Sequence, residues 1–301
     1  MENKLKNLEL ILDGLMRRYK ERVPNVNKII DAMIKEGIIA NASEIENDHI
    51  AFRTMGVPQL GIQSFEKIFV HYGYQKKDYF YFEGKKLNAF WYAPPTDRLP
   101  RIFVSELRIE DLSENTQKII NHYTDQVKTD PVDALDLDDP VAVDAFLHQA
   151  LWQTPRLEDY LALLNESEYA SWVIYNRYYL NHYTISVHNL KEGYNTVADF
   201  NVFLERNGIK LNDAGGQIKI SPDGGLLQSS TVAEMVNATF EGGESYSIAG
   251  SYVEFAERRI LPVYAHLPAN EIGRQHRRDG FESANADKIF ESTFTTQTHK
   301  Q

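Results

Sequence analysis

The chain has 301 residues, 43% of them hydrophobic, and a formal net charge of −11. That is enough for one large core or two modest ones, and the acidic balance argues against nucleic acid or an anionic membrane surface as the main partner. The absence of cysteine excludes disulfides, thiolate metal sites and a cysteine nucleophile.

In chain order, Leu8, Leu10, Ile11, Leu15 and Met16 recur at helical spacing, and Pro24 opens a second helix over Asn25 to Lys35. Residues 1–44 therefore read as an N-terminal helical pair. The opening residues lack the apolar core of a signal peptide, and no apolar run is long enough to span a bilayer. A cytoplasmic protein with no membrane partner is expected. The stretch Asn47-Asp48-His49-Ile50-Ala51-Phe52-Arg53-Thr54 alternates as a strand. It places Asp48, Ile50, Phe52 and Thr54 on one face and His49, Ala51 and Arg53 on the other. A helix from Ser64 to His71, stopped by Gly73, precedes strands at Tyr79 to Phe82, Leu87 to Tyr92 and Ile102 to Ile109. Residues 45–110 thus read β-α-β-β-β.

Residues 111–180 are helical in pattern: Glu114 to Val127, Val141 to Trp152, Leu157 to Leu164 and Tyr169 to Leu180. We read them as an insertion. The acidic run from Asp130 to Pro140 lacks the glycine and spacing of an EF-hand and reads as a solvated connector. The first pattern then returns over 181–258. A strand at Asn181 to His188 precedes a helix at Thr196 to Asn207 and strands at Gly216 to Ile220, Leu226 to Ser230 and Ser247 to Glu257. Superposing His182 on His49 brings Phe200 near Phe65 and Gly208 near Gly73, the mark of an internal repeat. Residues 259–301 form a C-terminal extension within a single domain. Its polar stretch Gly273 to Glu282 reads as a solvated tail, with a lid or an anion-attracting patch as the other reading.

The duplicated order resembles the vicinal oxygen chelate architecture, which implies an α+β fold whose two βαβββ modules curl into an incomplete barrel around a metal. The first and last strands of the modules offer His49, Glu106, His182 and Glu254 as ligands. Two neutral imidazoles and one or two carboxylates suit divalent iron, manganese, nickel or zinc. Glu254 lies on an apolar strand, where an unpaired carboxylate is costly. Glu106 has Arg108 two residues on, so it is either a fourth ligand or an ion-paired group outside the metal's shell. His188 competes with His182, and the repeat favours His182. Arg53 stands on the His49 face, on the order of 13 Å away along a strand. That leaves room for a small acid with one end on the metal and the other on the guanidinium. Gln228, Ser229 and Ser230 are candidates to hydrogen-bond a substrate, or are turn and edge-strand polar groups. Thr184 and Ser186 share the His182 face, and Tyr252 shares that of Glu254.

The strings Asn47 to Thr54, Leu180-Asn181-His182-Tyr183-Thr184 and Tyr252-Val253-Glu254-Phe255-Ala256-Glu257-Arg258 resemble the 2-oxoadipate dioxygenase/decarboxylase family. So do Pro100 to Leu107 and Gly225 to Thr231. The resemblance implies Fe(II) held by His49, His182 and Glu254, with zinc, nickel or manganese as substitutes on purification. Arg53 then binds the distal carboxylate of a 2-oxo dicarboxylic acid. It implies an oxidoreductase of lysine degradation that turns 2-oxoadipate and O2 into 2-hydroxyglutarate and CO2. The competing reading is a metal-dependent hydrolase or glyoxalase-type lyase, which four filled ligand positions would favour.

Overall fold

Two amphipathic helices lead into the sheet in the computed structural model, which describes residues 2–299. Helix α1 (Glu2–Arg22) buries Leu8, Ile11, Leu15 and Tyr19 along one stripe. Pro24 takes the first turn of α2 (Pro24–Lys35), where its missing N–H would have had no partner. The Tyr19 hydroxyl reaches across to donate to the Tyr252 carbonyl, which ties this pair to the last strand of the sheet.

The first module runs β1 (Asn47–Met55), α3 (Ile62–His71), β2 (Gln75–Phe82), β3 (Leu87–Ala93) and β4 (Arg101–Leu107). Helices α4 (Glu114–Thr124), α5 (Pro140–Phe146), α6 (Leu157–Glu166) and α7 (Glu168–Asn176) make the insertion. The second module follows as β5 (His182–Ser186), α8 (Val197–Arg206), β6 (Lys219–Ile220), β7 (Leu226–Ser230) and, after a separate hairpin of β8 (Met235–Thr239) and β9 (Ser245–Ala249), β10 (Tyr252–Arg258). One eight-stranded sheet takes them in the order β2-β3-β4-β1-β5-β10-β7-β6. Each module pairs its first strand parallel to its last, and the halves meet antiparallel along β1 and β5. The sheet is thus two copies of one plan joined at their first strands, the duplicated α+β half-barrel that the repeat predicts.

Several boundaries differ from expectation. The run expected as one strand over Ser247 to Glu257 is broken at Gly250, whose N–H turns to the Glu234 carbonyl at 2.7 Å and closes the β8–β9 hairpin. His188 sits in a short 3-10 turn (Val187–Asn189) rather than on a strand. Helix α5 stops at Phe146, because Trp152 turns inward to donate to the Ile174 carbonyl at 2.8 Å. The acidic connector keeps Asp133, Asp136, Asp138 and Asp139 exposed but is anchored at its start and end. Asp130 accepts from Ser64 Oγ at 2.6 Å and Lys67 Nζ at 2.8 Å, and Asp139 caps α5. The C-terminal extension is no solvated tail. Gly280 takes a positive φ of 70°, Phe281 is buried, and α9 (Ser283–Phe290) sinks Asn285, Ile289 and Phe290 against the sheet.

Strand β1 is buried on both faces, so the sheet is covered from two sides. One cover comes from α3, where Phe65 and Phe69 pack on Phe52. The insertion lends α7, whose Tyr169 hydroxyl meets Ser105 Oγ at 2.9 Å and the Thr54 amide at 3.2 Å.

Candidate metal centre

Strand register alone gathers the site. Across the antiparallel joint, His49 lies opposite Thr184 and Ala51 opposite His182. Across the neighbouring parallel pair, Thr184 lies opposite Glu254 and His182 opposite Tyr252. These residues share one sheet face in two adjacent rows. His49 Nε2 and His182 Nε2 come within 3.3 Å, and Glu254 Oε2 lies 3.4 Å from the first and 3.1 Å from the second. All three residues are buried, and they are the cluster able to hold a metal ion among the described residues.

The surroundings fix which atoms face the centre. His49 Nδ1 is 2.8 Å from Asp48 Oδ1, and His182 Nδ1 is 3.1 Å from Asn181 Oδ1. Both contacts place the ring proton on Nδ1 and leave the Nε2 lone pairs pointing inward. Two lone pairs and a carboxylate oxygen then converge, with the Thr184 hydroxyl 3.0 Å from His49 Nε2 as a neighbouring donor, and a cation would satisfy all three acceptors at once. The titration of the groups says the same. Burial alone would raise Glu254, but His49 and His182 draw it down to about 2. Burial opposes a charged His49, yet Glu254 and Asp48 raise it overall, while burial lowers His182. The buried carboxylate is thus held ionised between two imidazoles, a setting that favours a bound cation.

Asp48 is itself held in a buried clamp. Arg258 donates to both of its oxygens, at 2.6 and 2.9 Å, and Arg101 approaches Oδ2 at 3.3 Å. Burial would push this carboxyl up, but the two guanidinium groups hold it well below the usual range. Arg258 also grips the Gly280 carbonyl at 2.7 Å, which seats Phe281 with its ring 4.8 Å from that of His49. Phe103, Gln228 and Tyr252 line the cavity from the sheet, and Phe281, Ile289 and Phe290 roof it.

Arg53 lies further along β1 and is 1% exposed. Its guanidinium donates to Thr293 Oγ1 at 3.0 Å and the Phe290 carbonyl at 3.1 Å, and it lies within 5.5 Å of the Tyr169, Trp172 and Phe290 ring centres. Among the described residues no carboxylate lies within ion-pair distance of it. Arg53 Nε and Tyr252 Oη are buried without a hydrogen bond, although the two groups lie close enough to shift each other's titration. The Tyr252 ring packs at 4.8 Å on that of His182, which links this spare hydrogen-bonding capacity to the three donors.

The remaining sequence candidates divide. The Thr184 hydroxyl is at the centre, 3.0 Å from His49 Nε2. Gln228 lines the cavity, but both ends of its amide are engaged, the NH2 by Glu254 Oε1 at 2.5 Å and the carbonyl by Asn285 at 2.9 Å. Ser229, expected among the substrate-binding residues, points the other way and donates to Asn201 on α8, because neighbours on a strand face opposite sides. Ser230 bonds Ser292, and Ser186 turns to Glu46. Glu106 is outside the cluster. Its Oε2 accepts from the Ile62 amide at 2.9 Å, at the start of α3. The register explains the displacement. Phe103 lies opposite Ala51 as Glu254 lies opposite Thr184, so the fourth ligand position of the duplicated plan is filled by a phenyl ring. His188 is also elsewhere, accepting from the Arg258 amide at 3.2 Å.

Tyr169, Trp172, Asn285, Phe290 and Thr293 were not read as site residues from the sequence. Tyr169 and Trp172 lie in a segment whose helical pattern explains them as core, the other three lie in the C-terminal extension, and only the fold brings them to β1.

Comparison with known proteins now adds family to geometry. The model of the 2-oxoadipate dioxygenase/decarboxylase family matches residues 11–270. A relative from Arabidopsis thaliana named "2-oxoadipate dioxygenase/decarboxylase, chloroplastic" is 45% identical over 265 residues, covering 84% of this chain and 70% of its own. The crystal structure of the Oryza sativa hydroxyglutarate synthase in complex with 2-oxoadipate superposes with a TM-score of 0.89 at 39% identity, over 99% of this chain and 95% of that one. A glyoxalase-superfamily protein from Ralstonia eutropha shares the fold alone, with a TM-score of 0.70 at 20% identity over 91% of this chain and 85% of the other. The cytoplasmic location expected from composition is overturned, since the Arabidopsis relative is named as chloroplastic. An acidic, cysteine-free chain is equally at home in an organelle. By its match to the family model and its identity with these relatives, the chain belongs to the 2-oxoadipate dioxygenase/decarboxylase family.

Proposed function

We propose that this enzyme is an Fe(II)-dependent dioxygenase that takes 2-oxoadipate and O2 to 2-hydroxyglutarate and CO2, a step of lysine breakdown. The observation that carries the reading is Arg53. A guanidinium fully buried without a carboxylate partner, on the same strand as one of three converging metal donors, is a site waiting for an anion. His49, His182 and Glu254 would hold the ion. Divalent iron held there would supply Lewis-acid and oxygen-activating redox chemistry toward a 2-oxo acid.

The chain's own residues do the rest. Asp48 and Asn181 keep the Nδ1 protons in place so that both Nε2 atoms stay available. The distal carboxylate of the substrate accepts from Arg53 Nε and Tyr252 Oη, both buried without a hydrogen bond. Selection of chain length follows, because one end is fixed at the donors and the other at Arg53. Phe103, Phe281 and Phe290 keep water out. The phenyl ring of Phe103 at the fourth ligand position favours this reading over a hydrolase or lyase with four protein ligands.

The test is an oxygen electrode with protein reconstituted anaerobically with Fe(II). Oxygen uptake matched one to one by CO2 release on addition of 2-oxoadipate is expected. Substrate loss without oxygen uptake, or binding without turnover, would overturn the proposal.

A further inference from the structure

A ligating carboxylate must present one oxygen to the metal while its other oxygen is held still. In Glu254, Oε2 faces the two imidazoles and Oε1 accepts from the Gln228 amide at 2.5 Å. A carboxylate only accepts, so the Gln228 NH2 must face it, and the Gln228 carbonyl must find a donor elsewhere. That donor is Asn285 Nδ2 at 2.9 Å. Asn285 is 2% exposed, and its NH2 also approaches the carbonyls of Leu226 at 3.3 Å and Lys219 at 3.4 Å.

Gln228 and Glu254 belong to the sheet, whereas Asn285 stands on α9, whose last residues roof the cavity. The cavity beneath has a volume of about 20 Å³, room for about one water molecule. Phe290 at the end of α9 lies directly over this space, and a shift of α9 would withdraw Asn285 from Gln228.

We propose that Asn285 is a positioning residue that ties the seating of α9 over the cavity to the geometry of Glu254, acting through the Gln228 amide. The proposal rests on the reading of His49, His182 and Glu254 as a metal centre. With α9 seated, the Gln228 amide has one allowed orientation and Glu254 Oε2 points at the centre. With α9 lifted, the amide loses its acceptor-side partner and Glu254 loses its fixed direction. The seating of α9 and the geometry of the metal centre are then linked through a single amide.

The experiment is a Co(II) titration of metal-free protein in competition with a chromogenic chelator. The proteins are the wild type, Asn285→Ala, Gln228→Ala, the double variant, and Ala284→Gly, which loosens α9 on its exposed side. Each of the first two variants is expected to weaken Co(II) binding by about 10- to 100-fold. The double variant should lose no more than the worse single one, and Ala284→Gly, which loosens α9 but keeps the Asn285 side chain, should weaken binding by a smaller factor. Asn285→Asp is nearly isosteric and keeps the test valid if the alanine variant folds poorly. Its carboxylate turns the Gln228 carbonyl toward Glu254, so it too must weaken binding. Unchanged affinity in Asn285→Asp, or additive losses in the double variant, would overturn the proposal. A wild type that binds no divalent ion would instead bring down the reading of the metal centre beneath it.

Discussion

Laying β1 over β5 and β4 over β10 matches His49 with His182, Arg101 with Tyr252, Phe103 with Glu254 and Glu106 with Glu257. The two halves thus share a backbone plan and divide the chemistry. Each gives one imidazole from the same place in its first strand. Only the second gives a carboxylate to the centre, and only the first gives a buried arginine without a carboxylate partner, since the counterpart of Arg53 is Ser186. The supports differ as well. Asp48, clamped by two arginines, orients His49, whereas the neutral amide of Asn181 orients His182. Duplication supplies symmetric positions that have been filled asymmetrically, and in the proposed function the metal takes one half's acid while the substrate takes the other half's base.

The strongest way to break this comparison is to exchange the pair that differs most. Glu254→Phe is expected to abolish stoichiometric metal binding and reduce oxygen uptake by at least about a thousandfold, because two imidazoles alone do not retain the ion. Adding Phe103→Glu to that variant returns a carboxylate to the matching position of the other half. Metal content measured by elemental analysis should recover in part. No recovery would show that the halves are not interchangeable around the centre.

The two supports give the next effect. Asp48→Asn leaves Arg101 and Arg258 buried with a neutral partner, which costs about 3–5 kcal/mol of stability and about 10- to 100-fold in metal affinity. Asn181→Ala removes a single neutral contact and should cost about 1 kcal/mol. Denaturant unfolding with metal titration separates the two, and equal losses would erase the distinction. The sign with pH follows from the depressed carboxyl. Asp48 contributes its full stabilisation above the ordinary value near 4, and loses it as the pH falls below that toward its folded value. Acid unfolding of Asp48→Asn should therefore show a flatter dependence below about pH 4.

Arg53→Lys sharpens the contrast between metal and substrate halves. Lysine keeps the charge but cannot offer a fork, so KM for 2-oxoadipate should rise by about 30-fold or more while metal content stays at the wild-type level. An unchanged KM would remove Arg53 from the carboxylate-binding role.

Much of this was legible in the chain and some was not, for physical reasons. His49, Arg53 and His182 stand out because polar side chains on apolar strands need partners. The repeat was visible because helix stops such as Gly73 and Gly208 are demanded by backbone conformation, with φ of 94° and 71°. The β8–β9 hairpin was hidden because Ser247 to Glu257 reads as one extended run, and extended segments say nothing about which strand they join. Tyr169, Trp172 and Phe290 were hidden because aromatic residues on helices serve cores and binding sites alike. Glu106 was misplaced because a one-dimensional match cannot count register. The segment Glu254-Phe255-Ala256-Glu257 holds two glutamates, and the counterpart of Glu106 is the second.

That correspondence yields the smallest and most discriminating expectation. Glu106 Oε2 accepts from the Ile62 amide at 2.9 Å, and Glu257 Oε2 accepts from the Val197 amide at 2.9 Å. Each glutamate therefore caps the first helix of its own half from the last strand of that half, where a negative charge meets unpaired N–H groups and the positive end of the helix dipole. Close packing reinforces the first of these, since a Cβ on Gly61 would lie 2.7 Å from Glu106 Oε2. If the two residues are equivalent, Glu106→Ala and Glu257→Ala should each lower stability by about 1 kcal/mol, a shift of a few degrees or less in Tm. Neither should alter Co(II) affinity beyond about twofold. A large loss of metal in Glu106→Ala alone would return that residue to the centre and dissolve the register that sets Phe103 against Glu254.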